Sequence, residues 1–200
     1  MKKLSESVWM DIHKRSNGDS ARKEDPIECA FVKIKEMSLI DVTPSMHIGR
    51  KTLWTPCNFG AESYNQPGWW MNRNQIVELH EFLKNTEYCI ATEFDWKGLI
   101  NTYGEVVRIN KKNFSLRFGL GEERLYMPNF GYMSTLDYPL FTKKDDSPIF
   151  GTILYGKPAY IYLKFNRTKS DVLRTLEIES HMCTNLTDEK FQVRLVKRVS

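Results

Sequence analysis

Between Tyr88 and Val199 the chain carries a series of short runs whose apolar residues recur at every second position, and that period limits the fold more than any other feature. A period of two is the signature of strands that bury one face. It predicts strands over 88–94, 105–109, 114–118, 124–127, 149–155, 159–165, 173–182 and 191–199. Asn110-Lys-Lys-Asn113 and Gly156-Lys-Pro158 lie between such runs and read as hairpin connections. The 173–182 run has residues that also favour helix. The alternation of Leu176, Ile178, Ser180 and Met182 decides for strand. The last fifty or so residues therefore read as an antiparallel meander.

The first half is mixed. Ala30 to Ile34 alternates in outline, with Lys33 and Lys35 on one face, and reads as a first strand that bends on through Ser38 to Val42. Arg50 to Thr55 reads as a second strand, and Pro56 to Gly68 as an irregular loop rich in Asn, Gly and Pro. A helix over about 73–85 follows, with Asn72 or Asn74 as its cap. Ile76, Leu79 and Leu83 recur at helical spacing on it. The expected class is α+β and sheet-dominated, with this body helix and one arm helix ahead of it.

The arm is well signalled. Ser5 suits an N-cap, and Leu4 and Trp9 then have hydrophobic-staple spacing. His13, Lys14 and Arg15 suit a helix C-terminus, and Asn17-Gly18 suits a stop. A helix over about 6–16 results, with one narrow apolar stripe of Leu4, Val8, Trp9 and Ile12. A helix so short is marginal alone in water, so the stripe needs a docking surface: this chain's own body, a second copy or another protein. Gly18 to Pro26 is polar and charged, which divides the chain into an arm and linker over 1–25 and one domain over 26–200.

The string KLSESVWMDIHKRSNGDSARKED, within residues 2–25, resembles a short N-terminal module of tailed bacteriophages. The module recurs on otherwise unrelated proteins, chiefly of crAss-like and related phages of gut Bacteroidales. Leu4, Ser5, Glu6, Ser7, Val8, Trp9, Asp11, Ile12, Arg15, Ser16, Gly18, Arg22, Lys23, Glu24 and Asp25 carry the resemblance, which does not extend to residues 27–200. It implies a phage origin and carries no function with it. The reading built on that origin is a non-enzymatic protein that binds other proteins as a virion-associated or assembly component, resident in the host cytoplasm during infection or in the virion. Leu4, Val8, Trp9 and Ile12 would then bind another phage protein or a second copy of the chain. A phage inhibitor of a host system is the alternative, and a small enzyme the third.

Composition excludes more than it assigns. A net charge of +4 is mild, and no apolar run nears the length that spans a bilayer. Cys29, Cys57, Cys89 and Cys183 are too scattered for a disulfide framework, so buried reduced thiols and a cytoplasmic compartment are expected. His181 with Cys183, joined by His47 and Cys57 or by His80 and Cys89, lacks the paired spacing of a zinc site. No cofactor is expected. Gly119-x-Gly121 meets Arg124 where a dinucleotide fingerprint needs Gly, and no phosphate loop or serine elbow occurs, so no catalytic residue is assigned. Glu93 with Asp95 and Glu177 with Glu179 would share strand faces, and solvated faces are their commoner use. Basic residues cluster at Arg108, Lys111 and Lys112, at Lys164, Arg167 and Lys169, and at Arg194, Lys197 and Arg198. A merged stripe of them would suit nucleic acid. The most suggestive surface is the aromatic loop: Trp54, Tyr64, Trp69 and Trp70 offer flat rings beside amides, as a ligand or interface site does, while the commoner use of such rings is to pin an irregular loop to the sheet.

Overall fold

The computed structural model describes residues 25–43, 51–100, 102–108, 114–120, 122, 124–130, 132–133, 139–140, 148–183 and 189–199. The fold is α+β and sheet-dominated. Its elements in chain order begin with α1 (Pro26–Lys35), β1 (Ile40–Asp41), β2 (Lys51–Trp54), α2 (Arg73–Leu83), β3 (Tyr88–Ile90) and α3 (Glu93–Lys97). Ten strands follow: β4 (Gly104–Arg108), β5 (Phe114–Phe118), β6 (Leu125–Pro128), β7 (Tyr132–Met133), β8 (Pro139–Leu140), β9 (Ile149–Leu154), β10 (Lys157–Arg167), β11 (Leu173–Met182), β12 (Gln192–Val193) and β13 (Leu195–Val199).

The central layer is the sheet β11-β10-β9-β12. Its first three strands form the expected antiparallel meander, and β12 joins β9 in parallel. The β9–β10 turn is Tyr155-Gly156, both with positive φ, and Leu154 pairs with Lys157 across it. That is a two-residue hairpin whose backbone twist matches its strands. Period two then splits the sheet between two cores. Ile149, Ile153, Tyr160 and Tyr162 face α1 and α2. Phe150, Ile161 and Leu163 face the opposite way, toward α3 and the sheet β4-β5-β6. At Gly151 the helix α2 lies so close that a Cβ would stand 2.8 Å from Ile76 Cδ1.

A second sheet, β1-β2-β13-β3, is antiparallel throughout. The segment 191–199 belongs to both four-stranded sheets, with Arg194 at the changeover. Residues 191–196 are all buried, so this segment is the spine that joins the two sheets.

Three expectations need correction. The first strand is instead the helix α1. Asp25 caps it by accepting from the Ile27 amide at 2.9 Å, and Pro26 occupies the first turn, where a missing N–H costs nothing. Its buried residues Ile27, Ala30, Phe31 and Ile34 have helical spacing, which outweighs the short alternation around Lys33 and Lys35. Asp25, placed in the linker by sequence, is thus the first residue of the helix motif. The strand expected over 88–94 ends at Ile90, because Asp95 reaches back to the Thr92 amide at 2.8 Å and starts α3. The thiols are not all buried, since Cys29 is exposed on α1. The helix α2 is as expected, and Asn72 and Gln75 close a capping box at its start. The arm helix lies outside the described residues. Among the described residues no helix is long and apolar enough to cross a membrane.

Candidate functional site

The aromatic loop is an Ω-loop with a closed neck. Trp69 N donates to Phe59 O at 2.8 Å, and Phe59 N donates to Val193 O at 2.8 Å on the spine. Met71 and Phe191 exchange both backbone bonds just below. Gly60 is needed here: its φ is +80°, and a Cβ would fall 2.2 Å from Trp69 Cδ1. The Trp69 ring also meets Phe59 edge-on at 5.3 Å. Trp69 and Trp70 are half-buried.

The expected ligand quartet is therefore divided. Trp54 is 1% exposed, packed against Trp96 at 4.9 Å in the second core, and is not available to a ligand. Its place there follows from its position at the inward end of β2. Tyr64 is the exposed member, at 41%, and its ring stacks on Tyr126 at 4.3 Å. The loop tip sets this ring among exposed Glu62, Asn65, Gln66 and Pro67. Ser63 Oγ donates to Asn65 Oδ1 at 2.7 Å. Lys33 of α1 pairs with Glu62 at 3.4 Å, an exposed pair that screening makes weak. A ring held by stacking beside amides suits contact with a protein or sugar.

Beneath the neck lies a polar root that the sequence reading missed. Thr55, Asn58, Gln192 and Arg194 are all buried. Arg194 is 0% exposed, and its guanidinium donates to Thr55 O and Tyr126 O, each at 2.8 Å. Burial pushes its pKa down to about 10, so it stays charged at neutral pH. Gln192 Oε1 accepts from Gly68 N at 3.2 Å and from Asn58 Nδ2. Cys57 Sγ sits in the same root, donating to Ala61 O at 3.2 Å, and burial raises its pKa against the pull of Arg194. No local signal separated Gln192 and Arg194 from surface residues, because polar residues on a period-two strand ordinarily face water.

The remaining candidates are mostly engaged. Asp95, with its side chain fully buried, accepts from Arg198 Nη2 at 2.6 Å and Nε at 3.0 Å. Glu93 lies on α3 rather than a strand, pairing with Lys97 and accepting from Ser180 at 2.7 Å. Glu179 holds Lys164 at 2.8 Å and lies 3.7 Å from His181. In the basic clusters Arg167 holds Asp171 and Lys197 holds Glu87, which dilutes any stripe for phosphate contact. Lys111, Lys112 and His47 lie outside the described residues, as do Leu4, Val8, Trp9 and Ile12. Burial raises the pKa of Cys89 and carries that of Cys183 to about 11. Among the described residues no three His, Cys, Asp or Glu side chains gather where they could hold a metal. No protein-family model, curated protein or solved structure matches the chain.

Proposed function

We propose that this is a bacteriophage protein that works by binding other proteins, docked through its N-terminal segment as a minor virion or assembly component. The observation that carries the proposal is the stripe of Leu4, Val8, Trp9 and Ile12 inside a string resembling a phage module. The cap at Asp25 supports it, because the first helix of the body starts with its own chemistry directly after that string. Exposed apolar side chains on the body, Phe94 at 79% and Leu120 at 73%, add surface of the kind that contacts proteins. The Tyr64 tip of the Ω-loop is a further contact point.

The test is co-sedimentation with purified particles of the phage that encodes the chain. Leu4→Asp with Trp9→Asp places charge in the stripe and leaves the sequence from Asp25 onward unaltered. The double variant should keep its unfolding midpoint and lose association with particles or with the assembly partner. Association equal to that of the unaltered chain would overturn the proposal.

A further inference from the structure

Three buried side-chain atoms at the root of the Ω-loop have no hydrogen-bond partner among the described residues: Asn58 Oδ1, Gln192 Nε2 and Arg194 Nε. They belong to one cluster. Asn58 Nδ2 donates to Gln192 Oε1, and Gln192 and Arg194 stand two apart on the spine. Both side chains grip the same short stretch, Gln192 at Asn58 and Arg194 at the Thr55 carbonyl. The backbone pairs the two stretches on either side of the grip, with Thr55 N donating to Leu195 O and Phe59 N to Val193 O.

The amide orientations are fixed by their neighbours. Gly68 N and Asn58 Nδ2 both donate to the Gln192 oxygen, so that atom is the acceptor and Nε2 is left as a donor. Asn58 spends its amide nitrogen on that bond, so Oδ1 is left as an acceptor. Arg194 bonds one carbonyl through each of Nη1 and Nη2, and its Nε is the guanidinium nitrogen with no partner among the described residues. The unpartnered atoms are thus one acceptor and two donor nitrogens, Gln192 Nε2 and Arg194 Nε.

We infer that this root is a binding site for a structural water, held by Asn58 Oδ1, Gln192 Nε2 and Arg194 Nε. A single water accepts two hydrogen bonds and donates to Asn58, which gives each of the three atoms a partner. A small anion would meet only the two donors and would set negative charge against the Asn58 oxygen. The water belongs to the neck: it links the 55–58 stretch to the spine at the point where Gly68 closes the loop. Its escape requires the loop root to open.

The test is water-selective rotating-frame cross-relaxation on the ¹⁵N-labelled full chain, read at the Gln192 side-chain amide and the Arg194 Nε–H. Both groups should show dipolar cross-peaks to water, of opposite sign to exchange peaks. Asn58→Leu should abolish the cross-peak at Gln192. If that variant does not fold, Gln192→Met should abolish the one at Arg194. Absence of dipolar cross-peaks at both groups in the unaltered chain would overturn the assignment. So would an Arg194 Nε–H shift that follows chloride against gluconate without a water cross-peak, which would make the occupant an anion.

Discussion

Arg194 and Arg198 stand four residues apart on the spine, and the fold treats their charges in opposite ways. Arg198 remains 35% exposed and grips Asp95, whose side chain is 0% exposed. Arg194 is fully buried and meets two neutral carbonyls, with no carboxylate bonded to it among the described residues. At the α3–β13 junction the buried charge is the acid and the arginine is its counterion. At the loop root the buried charge is the arginine, and backbone dipoles hold it. One pair locks a helix to a strand, while the other cation draws together β6, the start of the aromatic loop and the spine.

The largest effect should come from Arg198→Met. It strands the Asp95 carboxylate in the interior and should cost about 3–5 kcal/mol, measured by urea unfolding. Arg194→Met should cost less, about 1–3 kcal/mol, because two carbonyls lose a donor but a desolvated cation is removed. Equal costs would break the contrast between the two sites. Tyr64→Ala removes a half-exposed stacked ring and should cost about 1 kcal/mol.

Each arginine also has a neighbouring thiol, Cys57 beside Arg194 and Cys89 beside Arg198. Burial outweighs both cations, so a thiol reagent at pH 8 should label Cys29 quickly and Cys57, Cys89 and Cys183 only on unfolding. Rapid labelling of Cys57 would mean that the Arg194 charge acts more strongly than its burial allows.

The smallest effect concerns Glu93. Bonds from Lys97 and Ser180 hold its carboxyl below the usual range. A lowered folded-state pKa stabilises the protein above the unfolded value and loses that contribution as pH falls through the folded value. Glu93→Gln should therefore lower the unfolding midpoint slightly at neutral pH, and the two proteins should converge in acid.

The comparison also explains what was legible in the sequence. The meander from Ile149 to Met182 and the helix α2 were readable because apolar period and local caps agree there. The helix α1 is hidden in the sequence because Lys33 and Lys35 imitate a strand face, although Asp25-Pro26 is a sound start signal. Nothing in the sequence separates exposed Tyr64 from buried Trp54, because adjacency along the chain hides which face of β2 a residue takes. Arg194 and Arg198 read alike in sequence. Their difference depends on which sheet each meets, and the spine changes sheets at Arg194 itself.

The most direct test of the proposed phage-binding role compares the full chain with one that begins at Asp25, which keeps the α1 cap. Unfolding midpoint and co-sedimentation with phage particles are read on the same preparations. The account predicts midpoints within about 2 °C of each other and loss of association in the shorter chain. A shorter chain that unfolds well below the full chain, or that still associates with particles, would contradict it.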